Sequence, residues 1–275
     1  MGKRKVTTEA SSSSSSSGHE TKKAKKEKVD KKSAAKQTKV KASSSKSSDK
    51  TVATKSKPKS YPKEIDVDDN NETDKLEFTE PIPKKNAKGQ LVFPDQSDFR
   101  PNMTPKEVLA AGSFGGTYFR PIKSTVTGKS YSGVWKELPK DWLEGLNIGK
   151  QVSCAVYDEK VNTYGVKCGG SLQMWEESGW IHKQDPYGWF MWYCRFYQGR
   201  RSSDDERQIG RWLRCAGDTG RWRNNLISKC VRSGCAFDNA GVSPVVRQTL
   251  QHWAYRLNEN DFDAGVKKMK KKGLA

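Results

Sequence analysis

A chain of 275 residues with 51 Lys and Arg against 32 Asp and Glu carries a formal charge of +19, which makes polyanions the favoured class of partner. Nowhere do about 18 apolar residues run together, as a membrane-crossing helix needs, and the amino terminus lacks the short apolar core of a secretory signal. Membrane insertion and export are therefore not expected.

Residues 1–60 hold 18 basic side chains against 5 acidic ones, together with Ser runs such as Ser11 to Ser17, and offer little that can be buried. They are expected to form a disordered Lys/Ser-rich tail. Lys3, Arg4 and Lys5, then Lys22, Lys23, Lys25 and Lys26, form two compact cationic clusters of the kind that nuclear-import receptors capture, so the expected location is the nucleus. All but one of the tail's basic groups are Lys, whose hydrated ammonium suits diffuse attraction to polyanions.

Residues 61–92 read as an acidic linker. Within it, Ile65 to Asp69 alternates apolar and acidic residues, as a strand added to a sheet edge does, and resembles a SUMO-interacting motif. An acidic linker without that role explains the same residues.

Order is expected over 93–260. Thr104-Pro105-Lys106-Glu107 combines a capping box with Pro at the first helical position, and predicts a short helix that Gly112 ends. Gly115 and Gly116, flanked by Phe114 and Tyr118, predict a packing turn and not a phosphate loop, because no Lys-Ser/Thr follows. Residues 122–168 mix β-branched residues with turn formers and predict a small sheet or irregular cover. Ser171 to Glu177 predicts a further short helix.

Asp185-Pro186 reads as a cap and first helical position, opening a helix on which Trp189, Phe190, Trp192, Tyr193, Phe196 and Tyr197 span an arc of about 160°. Such a helix belongs in a core, although its rings could also serve as a base-stacking platform. Ser203 and Glu206 form a second capping box. In the helix after it, Ile209, Trp212, Leu213 and Ala216 share one side, while Arg207, Arg211 and Arg214 form a narrow stripe opposite. A helix from about Thr219 presents Trp222, Leu226 and Cys230 at i, i+4 and i+8. The last, capped by Ser243 before Pro244, aligns Val246, Leu250, Trp253, Ala254 and Leu257, with Gln248, His252 and Arg256 facing outward. Residues 261–275 read as a basic tail. The expected fold class is thus mostly α: a compact Trp-rich helical domain with a small irregular or β portion, preceded by a long disordered tail.

Several motifs recur together: TPKE (104–107), FGG-x-Y (114–118), GWI-x-x-x-DP-x-GWF-x-W-Y (179–193), GRR (199–201), D-x-RQI-x-RW (205–212) and RQ-x-L-x-HW (247–253). The combination resembles an uncharacterised protein family with no known activity. The resemblance implies one domain over about 99–257 and transfers no function.

Between residues 195 and 232 lie nine Arg and one Lys against four acids. Guanidinium forks match phosphate oxygens two at a time, so Arg200, Arg201, Arg207, Arg211, Arg214, Arg221 and Arg223 are the candidate nucleic-acid-binding residues. The same charges would also serve a solvated helix face or a protein-interaction module. A DNA- or RNA-processing enzyme would use His182 and Asp185, with Glu176 or Glu177 nearby, for proton exchange, yet no nucleophile elbow, paired metal carboxylates or nucleotide loop accompanies them. Cys230, Cys235 and His252 offer three possible zinc ligands where a structural site needs four, so no metal or other cofactor is expected. The six cysteines read as reduced thiols, mostly in the core.

Overall fold

The computed structural model describes residues 76–273. The tail, the import clusters and Ile65 to Asp69 lie outside the described residues. Among those described, seven α-helices, α1 (Pro105–Ala110), α2 (Leu172–Glu177), α3 (Trp189–Tyr197), α4 (Asp205–Ala216), α5 (Arg221–Arg232), α6 (Pro244–His252) and α7 (Glu259–Lys270), accompany two hairpins of two-residue strands. β1 (Lys84–Lys85) pairs antiparallel with β2 (Leu91–Val92), setting Lys84 against Val92, and β3 (Ile122–Lys123) with β4 (Ser130–Tyr131), setting Ile122 against Tyr131. The architecture is mostly α with a small irregular portion, as the sequence implies.

The core forms around α3, where Trp189 to Cys194 and Phe196 are all buried. Two of its polar edges are satisfied by distant partners, while the Trp189 indole N–H is buried without one. Trp192 Nε1 donates to Asp205 Oδ1 at 2.8 Å, and Tyr193 Oη donates to the carbonyl of Met103 at 2.6 Å. Phe99 meets Trp192, Tyr193, Phe196 and Trp212 with ring centroids 5.1 to 6.0 Å apart, mostly edge to face, the arrangement that opposes a negative ring face to a positive edge. Of the two readings open for this helix, the geometry supports the core.

Local chemistry explains the element ends. On α1 the capping box is reciprocal: Glu107 N donates to Thr104 Oγ1 at 3.1 Å, and Thr104 N to Glu107 Oε2 at 2.7 Å. Gly116 adopts φ +75°, and a Cβ there would stand 1.9 Å from the Lys150 carbonyl, so the glycine pair is a packing turn.

Five expectations need correction. First, α3 begins at Trp189, because the Asp185 carboxylate takes guanidinium donors from Arg195 and Arg200 and does not cap, while Gly188 stands at the cap position with φ +83°. Second, α6 ends at His252. Ala254 turns to φ +53°, and its carbonyl accepts from Asn102 N and Met103 N, bonds that a continued helix would forfeit. Third, Gln248 and His252 do not face outward but are buried against the Gly112 to Phe114 segment. Fourth, the expected basic tail from 261 holds most of α7, which Asn258 caps and which lays Gly265 and Met269 against Ile227 and Ser228 of α5. Fifth, order starts earlier than Phe93: Thr79 and Glu80 both donate to the Gly199 carbonyl at 3.1 Å, and Leu91 is buried.

Candidate nucleic-acid interface

The apolar side of α4 is fixed by Ile209, Trp212 and Ala216, all buried in the common core. That anchoring turns the opposite side of the helix toward one large groove of about 1530 Å³. Arg207, Arg211 and Arg214 line it from α4 and Arg221 from the start of α5. Across from them stand Trp175 of α2, Trp180 and His182 from the following loop, and Trp253 at the end of α6. Five arginines, counting Arg120, face two carboxylates, Asp204 and Glu206, so the groove is net positive.

The arginines differ in how they are held. Arg207 is committed internally: both its Nε and Nη2 donate to the buried carboxylate of Asp204, which also accepts from Gln208 Nε2 at 2.8 Å. Its charge is largely cancelled. Arg211 has no such partner among its hydrogen bonds to the described residues. Its Nη1 donates to Gln208 Oε1 at 2.9 Å and to the Trp180 carbonyl at 3.3 Å, and its Cζ sits 5.4 Å from the ring centroids of both Trp180 and Trp253. Burial, reinforced by the charges of Arg207 and Arg214, lowers its pKa to about 10, so it remains a cation at neutral pH. Arg214 is exposed within the groove. Arg221 is also exposed, with Cζ 4.8 Å from the Trp222 centroid.

The remaining candidate arginines lie elsewhere. Arg200 is 1% exposed and makes a bidentate pair with Asp185, at 2.9 and 2.6 Å. Arg201 lies over Phe196 at 3.9 Å and pairs through Nε and Nη2 with Asp95. Hydrogen bonding to Arg201 in turn holds the Asp95 carboxyl below its ordinary pKa. Arg223 is buried between Asp218 and Asp261, at 2.8 and 2.9 Å, beneath Tyr255. These three hold the fold together away from the groove, which Arg211, Arg214 and Arg221 line.

The acid–base candidates do not converge on a reactive pair. Asp185 is fully buried and shared by Arg195 and Arg200, and His182 meets it through backbone bridging, not through the ring. Glu176 accepts from Ser124 Oγ, Thr125 N and Thr125 Oγ1, tying α2 to the β3–β4 hairpin. Burial pushes its pKa up, but those hydrogen bonds outweigh it and hold the carboxyl below its ordinary value. Glu177 accepts from Gln173 Nε2 on its own helix.

His252 stacks on Phe114 with centroids 4.1 Å apart, and its Nε2 accepts from Phe114 N at 2.9 Å. Burial drives its pKa down to about 3, so the ring is neutral and serves the packing turn. Cys230 contacts Arg247 Nη2 at 3.4 Å, and Cys235 donates to the Ser233 carbonyl. Among the described residues no group of three His, Cys, Asp or Glu side chains is placed to hold a metal ion. Cys168 lines the groove beside Thr249 Oγ1 at 3.1 Å, but burial raises its thiol pKa, which disfavours the nucleophilic thiolate.

The groove's indoles escape a stripe-by-stripe reading, which assigns Trp222 and Trp253 to the core. Both pack against the core, as expected, yet stay half-buried and also line the groove, and Trp180 is 43% exposed. The available signal is adjacency: Arg221-Trp222-Arg223 and Gly179-Trp180 place indoles at helix starts and turns, where a stripe cannot cover them. Comparisons with protein-family models, curated proteins and solved structures return no match, so the family resemblance rests on its motifs alone. No described helix is long and apolar enough to cross a membrane.

Proposed function

We propose that the chain is a nuclear protein that associates with DNA or RNA, gripping the phosphate backbone in the α4–α5 groove while the Lys-rich tail adds sequence-independent affinity. The observation that carries this reading is the pairing of Arg211 and Arg221 with indoles in one net-positive groove that Arg214 also lines. Guanidinium groups that lean on aromatic faces keep their donors available at low conformational cost, and phosphate oxygens accept them two at a time. A volume of about 1530 Å³ suits a long ligand better than a small molecule, whose pockets run to about 1,000 Å³.

Nuclear import through Lys3 to Lys5 and Lys22 to Lys26, and a SUMO-type contact through Ile65 to Asp69, remain parts of the proposal that rest on sequence. The test is ultraviolet crosslinking of the tagged chain in intact cells, followed by mapping of the crosslinked peptides. Nucleic acid attached to peptides containing Arg211 to Trp222 or Trp180 supports the groove. Recovery of crosslinks only from residues 1–60, or of protein alone, would count against it and favour the interaction-module reading.

A further inference from the structure

Resting on the nucleic-acid reading, we infer that the groove takes single-stranded nucleic acid, with unpaired bases stacking on Trp180 and Trp222 while Arg211, Arg214 and Arg221 hold the intervening phosphates. A duplex turns its phosphates outward and keeps its bases stacked inside, so a duplex-binding surface needs cations and gains little from indoles. Here cation and indole alternate: Arg211 lies 5.4 Å from the centroids of both Trp180 and Trp253, and Arg221 lies 4.8 Å from that of Trp222. A basic groove that tracks a backbone, combined with aromatic faces open to successive bases, is the arrangement that binds single strands with little sequence preference.

The exposure of the same walls agrees. Trp180 stays 43% exposed while its carbonyl accepts from Arg211, so the fold does not bury this side chain. At about 1530 Å³ the groove is also larger than one nucleotide requires.

The experiment measures binding of the full chain to fluorescent 20-nucleotide single-stranded DNA, single-stranded RNA of the same sequence and the corresponding DNA duplex, at matched salt. It compares the native chain with Trp180→Ala, Trp180→Phe and the triple variant Arg211→Ala/Arg214→Ala/Arg221→Ala. The triple variant sets the level contributed by the tail. Melting temperature and near-ultraviolet circular dichroism confirm folding. Single strands of at least one sugar type are expected to bind about tenfold or more tightly than duplex; Trp180→Ala should weaken single-strand binding about fivefold to a hundredfold and duplex binding by a clearly smaller factor, with Trp180→Phe recovering most of the loss. Equal binding of single strand and duplex above the triple-variant level, insensitive to Trp180→Ala, overturns the single-strand inference and keeps the nucleic-acid reading. Binding by the native chain that never exceeds the triple-variant level removes both.

Discussion

The guanidinium carbon of Arg211 lies 5.4 Å from the ring centroid of Trp180, whose carbonyl accepts from the same side chain at 3.3 Å. A planar guanidinium can lie on the ring while its N–H groups reach the carbonyl in a fixed geometry, a combination that a compact ammonium on a flexible stem does not reproduce. Arg211→Lys should therefore keep the charge and still lose nucleic-acid affinity by about threefold to tenfold, the range of a partly desolvated cation–π contact. Fluorescence anisotropy at fixed salt checks this, and unchanged affinity in the Lys variant would show that only the charge matters.

His252 gives a prediction in acid. Its folded-state pKa, about 3, lies below the ordinary 6.5, so between those values the unfolded chain binds a proton there that the folded chain does not. Stability must fall as pH drops through that window, by an amount on the order of a few kcal/mol from this residue. Carboxylates also titrate in acid, so the reading is a difference: His252→Gln should flatten the urea-midpoint curve between pH 6.5 and 4 relative to the native chain. Parallel curves would show that the imidazole is not held neutral.

The Asp185 cluster should behave as a structural unit. Removing its carboxylate in Asp185→Asn leaves Arg195 and Arg200 without their shared buried anion, which costs about 3 to 5 kcal/mol when one partner of a buried pair is lost. The double variant Asp185→Leu/Arg200→Met removes the cost of burying both charges and should be the more stable of the two by urea denaturation. If Asp185→Asn instead melts like the native chain while abolishing a nucleic-acid-processing activity, the enzyme reading gains ground.

Gly116 tests the packing turn. With φ +75° and the Lys150 carbonyl 1.9 Å from where a Cβ would stand, Gly116→Ala forces backbone to move. A loss of several kcal/mol, roughly 3 or more, is expected in thermal or urea unfolding. Near-native stability would mean that the turn can open without disturbing the core.

Helix chemistry in this sequence is legible where it is local. Thr104 and Glu107 announce α1, and the arc from Trp189 to Tyr197 announces a buried helix, because caps and 3.6-residue periodicity act within a few residues. What escapes is set by distant partners. Asp185 looks like a cap until Arg195 and Arg200 claim its carboxylate, and α7 hides in a Lys-rich stretch because its apolar residues are sparse. The site follows the same rule. The α4 stripe is visible as a pattern, yet nothing in it distinguishes Arg207, neutralised by Asp204, from Arg211, held by indoles. Trp180, from a loop 31 residues before Arg211, joins the groove only through tertiary structure.

The salt dependence of binding bears most directly on the groove. With the native chain, the logarithm of the association constant for a labelled single strand should fall linearly with the logarithm of salt concentration, and the triple variant Arg211→Ala/Arg214→Ala/Arg221→Ala should reduce the steepness by about 2, as expected for three lost phosphate contacts on a single strand. An identical slope in the triple variant, whatever the absolute affinity, would place the phosphate contacts elsewhere and contradict the role assigned to these arginines.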